Sequence, residues 1–349
     1  MVFESDDWGS IRMPSLDSFN FLKNKGIDLI TGDSLRYNIN DTLASPEDLS
    51  ALFDVLSSHK DKNGRPCVFT PVCLVANPDF NKIRTNNFTE YFYEPFTETL
   101  KKYPGCEKSF ELWQQGINAG LFAPQFHGRE HLNVASWIKA LQNNDRDTRL
   151  AFDHGLWAIK LPNTINAGGY QAAFLFNSRE EKNNLECILK EGLDLFEVVF
   201  GYKASYFVPT NGFLNNSLGK VLIKGGIQYL NTTYIQNEPI DNKKFKKRFH
   251  YLGQQNQWGQ KFILRNALFE PNQTGSNNLY ECLERIKIAF YWNKPAIIST
   301  HRTNYIGELN PQNRINGLNE LNKLLKILLN KYPQIEFMTT PELAELIGK

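Results

Sequence analysis

The stretch Val68-Phe-Thr-Pro-Val-Cys-Leu-Val-Ala76 is short, apolar and rich in β-branched residues, so it predicts a strand that is buried on both faces. Strands of this kind are typical of parallel sheets that are covered by helices. Other short runs of similar character predict strands at residues 120–126, 204–208, 228–231, 296–300 and 336–338. The chain is therefore expected to fold around a parallel sheet.

Helical patterns lie between these strands. Ser45-Pro46-Glu47-Asp48 combines a capping hydroxyl, a proline and two acids, with apolar residues at helical spacing behind them, and predicts a helix at residues 46–58. Further helices are predicted at residues 180–200, 214–224, 280–292 and 313–331. Six or seven alternating strand–helix units favour an α/β barrel, with an open doubly wound sheet as the alternative.

Two polar stretches, residues 77–87 and 236–260, interrupt this alternation and are expected to be long loops or a small insertion. No composition change marks a domain boundary. Residues 1–349 are therefore expected to form a single domain.

Charge and composition disfavour several classes of function. The net charge of +2 creates no long-range field towards nucleic acid or an anionic membrane, and no glycine-rich nucleotide-binding motif is present. No run approaches the roughly 20 apolar residues of a membrane span, so we expect a soluble protein, either cytoplasmic or exported with a leader that this chain lacks. The 5 cysteines are widely spaced without a Cys-x-x-Cys pair, which disfavours a disulfide framework. None of these features indicates the oligomeric state.

The segment His127-Gly-Arg-Glu-His131 is the strongest local signal for chemistry. On a helix, two histidines four residues apart share one face at a separation that suits a common metal ion. Such pairs also arise by chance, and the spacing alone favours a chance occurrence over a metal site. The position of Glu130 directly before the second histidine disfavours a zinc-protease motif.

Two other predicted strand ends carry polar groups. Asp6 and Asp7 stand at the end of the first strand, where neighbouring side chains point to opposite sides. We therefore expect one of them to coordinate a metal and the other to face a bound water molecule. His301 ends the strand at residues 296–300. Taken alone, each is better explained by a turn or by a surface or capped core residue, but in a closed parallel barrel all these strand ends meet at one rim. Two imidazoles and one carboxylate are a common catalytic metal set.

The order of these motifs, closed by Phe337-Met-Thr-Thr-Pro-Glu-Leu343, resembles the polysaccharide deacetylases of carbohydrate esterase family 4, the NodB-type deacetylases. The resemblance runs from Phe3 to Leu343 in short islands. It implies a distorted (β/α)7-type barrel with loop insertions. It also implies one divalent metal, often zinc, with cobalt, nickel, iron or manganese as alternatives.

The resemblance further implies roles for individual residues. Asp7, His127 and His131 correspond to the metal ligands, Asp6 to the catalytic base and His301 to the general acid. The implied activity is that of a metal-dependent hydrolase, in which a metal-activated water removes an N- or O-linked acetyl group from a carbohydrate substrate. An amidase for a small non-peptide C–N bond, a glycoside hydrolase with a further rim carboxylate and a degenerate glycan-binding protein remain alternatives.

The chain departs from the family pattern in two places. Gly128 stands where the family usually has serine or threonine, and Phe207-Val-Pro-Thr-Asn-Gly212 matches a motif that usually begins with an arginine. Arg129 or Arg302 would have to replace that arginine.

The family's third motif suggests the Thr210 amide as an oxyanion donor, and Trp8, Arg302 and His154 are further candidates for substrate contact. Core packing is the more frequent role of an aromatic residue such as Trp8, and a hydrogen-bonded loop histidine is the slightly favoured explanation of His154. Other aromatic side chains that could stack on a sugar ring are Trp137, Trp157, Tyr206 and Tyr234.

Overall fold

The structure is a computed structural model that describes residues 1–160, 169–240, 244–273 and 278–347. Within these residues the strands, in chain order, are β1 Val2–Trp8, β2 Phe69–Leu74, β3 Ala76–Pro78, β4 Tyr93–Pro95, β5 Gln125–Gly128, β6 Tyr206–Phe207, β7 Tyr229–Asn231, β8 Ile235–Ile240, β9 Lys244–Phe249, β10 Lys261–Ile263, β11 Ala267–Leu268 and β12 Ile297–His301.

The α-helices of the same residues are α1 Leu16–Asn24, α2 Ser34–Asn40, α3 Pro46–Ser57, α4 Phe80–Thr85, α5 Phe96–Lys102, α6 Ser109–Asn118, α7 Val134–Gln142, α8 Arg146–Asp153, α9 Arg179–Phe200, α10 Gly219–Lys224, α11 Asn278–Tyr291, α12 Pro311–Lys331 and α13 Thr340–Ile347. The helix predicted from Ser45 is confirmed as α3, and its capping box joins Ser45 to Asp48 as the sequence pattern requires. No helix in the described part of the chain is both long and apolar enough to span a bilayer.

One parallel sheet organises the molecule. Its strand order is β10-β7-β6-β5-β2-β1-β12-β11, and each neighbouring pair is parallel. The central strand β2 is buried along its whole length, because residues on both of its faces are covered. The carboxyl ends of β1, β5 and β12 therefore lie on the same edge of the sheet.

A single short stretch of chain connects the two edges of this sheet. Strand β10 pairs with β7, and after residues 264–266 the same stretch continues as β11 and pairs with β12. The edges are thus brought together by consecutive residues, as closure of a seven-unit barrel requires. The predicted distorted (β/α)7-type barrel is confirmed, and the open doubly wound alternative is not.

Some element predictions are wrong. No strand forms at residues 336–338, where the chain instead makes isolated hydrogen bonds between Met1 and both Glu336 and Met338. The two polar stretches contain regular structure and are not long loops: β3 and α4 lie within or beside residues 77–87, and β8 pairs antiparallel with β9, which agrees with the alternative of a small insertion. Polar residues on exposed strands mask the alternation that periodicity arguments need.

Candidate metal centre and proton-transfer groups

Asp6 and Asp7 stand at the carboxyl end of β1. Asp7 has a φ of 71°, a left-handed backbone conformation that aspartate adopts more readily than most residues. The register between β1 and β2 also shifts between Ser5 and Trp8. As a result both carboxylates line the same cleft, and the expectation that strand alternation would separate them does not hold.

His127 and His131 approach each other without a helix. His127 lies on β5 and His131 lies in the loop before α7, so the prediction that both stand on one helical face is wrong. Gly128 makes the turn possible, since its φ of 144° is strained for any residue with a side chain. The ring centroids of the two histidines are 5.4 Å apart. Gly128 therefore has a backbone reason for replacing the hydroxyl residue of the family pattern.

Asp7, His127 and His131 together could hold a metal ion. One carboxylate oxygen of Asp7 lies 3.4 Å from Nε2 of His127 and 3.6 Å from Nε2 of His131, and the three ligand atoms lie within 4.8 Å of one another. A tetrahedral site with bonds of about 2.1 Å has edges of about 3.4 Å. Nδ1 of His127 is 2.6 Å from the backbone carbonyl of Val208, which orients the ring and directs its Nε2 to Asp7. The residues therefore fit a small divalent cation.

The protonation states of these three groups suit that role. Burial lowers the pKa of His131 to about 4, so its ring is neutral near pH 7 and retains a lone pair for a metal. Burial would raise the pKa of Asp7, but its hydrogen bond with His127 and the nearby His131 and His301 bring it well below its usual value. Asp7 is therefore ionised.

Asp6 has a cationic partner that the sequence analysis did not identify. Arg265 donates two hydrogen bonds of 2.6 Å to the carboxylate of Asp6 and a third of 2.6 Å to Glu4. Burial opposes ionisation of Asp6, but the charge and hydrogen bonds of Arg265 lower its pKa below the usual value. Arg265 directly follows the short apolar run Phe262-Ile-Leu264, a pattern that marks the end of β10.

Arg129 and Arg302, the two candidates for this role, bind other carboxylates. Arg129 pairs with Glu130 and Glu191, and Arg302 pairs with Asp41. The prediction that Arg129 or Arg302 takes the place of the arginine in the family pattern is therefore wrong.

His301 also has an unforeseen partner. Its Nδ1 is 2.7 Å from a carboxylate oxygen of Glu270, and its Nε2 is 3.9 Å from Asp6. Burial disfavours the charged ring, but Glu270 and the two aspartates outweigh burial and raise the pKa of His301 to about 9. His301 is thus protonated at neutral pH. Glu270 follows β11, a strand of two residues that is too short for a periodicity signal.

The remaining sequence candidates lie in different places. Thr210 is buried, and its neighbours Pro209 and Asn211 line the cleft. Trp8 is 1% exposed and packs against Trp113 and Phe122, so it belongs to the core.

Arg302 and His154 do not line the cleft, and the ring of His154 stacks on Phe21. Among the other aromatic candidates only Tyr234 borders the cleft, with 59% of its surface exposed. The others are buried core residues, namely Trp137, Trp157 and Tyr206.

The cleft has a volume of about 590 Å³ and contains the metal-type cluster, Asp6 and His301. A second groove of about 880 Å³ adjoins it, since both are lined by Tyr234 and Arg265. This groove carries the exposed side chains of Trp292 and Leu268. The dimensions allow a ligand larger than a single sugar ring.

No protein-family model matches the chain, and no curated protein matches it in sequence. Similar solved structures include a probable polysaccharide deacetylase from Pseudomonas aeruginosa, at 10% identity over 99% of this chain and 89% of that chain, with a TM-score of 0.47. A family 4 carbohydrate esterase from Streptomyces lividans is similar at 10% identity over 81% of this chain and 82% of that chain, with a TM-score of 0.34.

The chain is similar to these two structures in fold. It is also similar to a 4-α-glucanotransferase from Thermococcus litoralis, at 10% identity and a TM-score of 0.47, over 99% of this chain but only 40% of the glucanotransferase.

Proposed function

We propose that this protein is a metal-dependent hydrolase that removes an acetyl group, N- or O-linked, from a carbohydrate. The observation that carries the proposal is the meeting of Asp7, His127 and His131 within 4.8 Å, in the cleft that also holds Asp6 and His301. Burying this many ionisable groups costs folding free energy, which a purely structural role would not require. That residues 1–349 form one catalytic domain remains a prediction.

Each group would have a separate task. A divalent cation bound by Asp7, His127 and His131 would supply a Lewis acid that polarises the acyl oxygen and lowers the pKa of a water molecule. Asp6, held ionised by Arg265, would accept the proton of the attacking water. His301, held protonated by Glu270, would give a proton to the departing nitrogen or oxygen of the sugar.

The remaining groups of the cleft fit a carbohydrate. The backbone amide of Thr210 would add a hydrogen bond to the charge that develops on the acyl oxygen. Tyr234 and Trp292 present exposed rings along the cleft and its adjoining groove, where sugar faces could stack. The carboxylate partners of Arg265 and His301 favour a working enzyme over a glycan-binding protein that has lost catalysis.

The test combines metal analysis with acetate release. Separate Asp7→Ala, His127→Ala and His131→Ala variants are expected to lose the metal and the activity. Asp6→Asn and His301→Ala are expected to retain the metal and lose about 10²–10⁴-fold in kcat, because they remove proton transfer only. Elemental analysis and acetate release from acetylated oligosaccharides measure the two properties.

His154→Ala is the matched control, because this histidine lies outside the cleft and should change neither property. Unchanged hydrolysis after chelation would refute the proposal. Release of ammonia or an amine from small amides, without acetate release from sugars, would instead favour an amidase.

A further inference from the structure

Arg12 is a buried cation that makes no ion pair or hydrogen bond with a carboxylate of the described residues. Only 8% of the residue is exposed, and it lines the cleft. Its Nε is enclosed without a hydrogen-bond partner, and no salt bridge joins its guanidinium to the described residues. A buried guanidinium without hydrogen-bond acceptors costs folding free energy, so this arrangement requires an explanation.

Three other arginines near Arg12 or the cleft are each paired with carboxylates of the protein. The pairs are Arg36 with Asp33 and Glu270, Arg265 with Glu4 and Asp6, and Arg302 with Asp41. Asp41 is near enough for the charge of Arg12 to act on its carboxylate, but its side-chain hydrogen bonds come from Arg302. Arg12 thus differs from these three arginines, since no carboxylate of the described residues is hydrogen-bonded to it.

Aromatic rings hold Arg12 in place. Its guanidinium carbon lies 5.1 Å from the ring centre of Tyr37 and 6.0 Å from that of Trp157. Such contacts orient a guanidinium through its charge and leave the N–H groups at its edge without acceptors. A planar fork of donors in a cleft is suited to a carboxylate or phosphate, which it binds through two parallel hydrogen bonds.

We propose that Arg12 binds an anionic group of the ligand that enters the metal cleft, so that the substrate is an acetylated sugar bearing a carboxylate or phosphate. That this ligand is the substrate rests on the proposed function, whereas the binding of an anionic group by Arg12 does not. The anionic group lies outside the acetyl group that is removed. Arg12 is therefore a specificity residue for acidic over neutral sugars.

Calorimetry with glucuronate, glucose 6-phosphate and glucose tests the recognition without turnover. The wild-type protein should bind one of the two anionic sugars at least about 10-fold more tightly than glucose, and the tighter one identifies the group. Arg12→Gln should lower this preference by about 10-fold to 100-fold, because a charge-assisted pair is lost. Arg12→Lys should retain part of the preference through its charge.

Acetate release from acetylated glucuronic acid and from acetylated glucose gives the second readout. Arg12→Gln should reduce the ratio of the two kcat/KM values, mainly through KM for the acidic substrate. Arg179→Gln, which removes an exposed arginine, should leave the ratio unchanged.

Equal binding of the three sugars by the wild-type protein, or a preference that survives in Arg12→Gln, would overturn the inference. Hydrolysis without any preference would refute the inference and leave the proposed function intact. An Arg12-dependent preference without hydrolysis would refute the proposed function and leave the recognition of an anionic group by Arg12 intact.

Discussion

Replacing Arg265 by glutamine tests the electrostatic network around Asp6. The guanidinium of Arg265 makes hydrogen bonds of 2.6 Å to both Asp6 and Glu4, and Glu4 is fully buried. Arg265→Gln leaves two buried carboxylates without their cation. Removing one partner of a buried ion pair typically costs about 3–5 kcal/mol of folding free energy.

This cost in folding free energy corresponds to a measurable decrease in the melting temperature, Tm. The entropy of unfolding is about 2.1 cal/mol/K per residue, so a chain of 349 residues has about 0.7 kcal/mol/K. Arg265→Gln should therefore lower Tm by about 4–7 °C at pH 7, measured by scanning calorimetry. Arg179→Gln removes an exposed arginine and should change Tm by less than about 1 °C.

The difference should depend on pH in a defined direction. Arg265 lowers the pKa of Asp6 in the folded protein, so its stabilisation is present above the unfolded pKa of about 3.9 and is lost as the pH falls through the folded value. The difference in Tm between the wild-type protein and Arg265→Gln should have its full size at pH 7 and shrink below about pH 4. A difference under about 1 °C at pH 7 would refute the reasoning.

Two other predictions concern His301 and Gly128. Glu270→Gln should lower the pKa of His301 from about 9, because the carboxylate that favours the charged ring is gone. The alkaline limb of the kcat/KM profile should then move to lower pH, and an unmoved limb would contradict the role of His301 as an acid. Gly128→Ala should destabilise the protein by about 1–3 kcal/mol in urea unfolding, since a φ of 144° is strained for alanine. A change below about 0.5 kcal/mol would show that the turn between the histidines can relax.

Much of the barrel could be predicted because its longer elements carry strong periodic signals. Strand β2 has an uninterrupted apolar run, and α3 has a capping box that marks its first turn. Helices α9 and α12 are long enough for their apolar stripes to be unambiguous. Strands β10 and β11, with three and two residues, carry no such signal, although they connect the two edges of the sheet.

The sequence by itself determined which residue types were available for chemistry and the strand ends near which they stand. Asp6, Asp7, His127 and His301 were identified in this way, because the carboxyl ends of parallel strands share one edge. Only the tertiary structure determined that Arg265 and Glu270 are their partners, and that Arg12 lies in the cleft without a hydrogen-bonded acid. Charge pairing depends on distances in space between residues that are 259 positions apart for Asp6 and Arg265 and 31 apart for Glu270 and His301. The orientation of Asp7 depends on one backbone angle that strand periodicity does not encode.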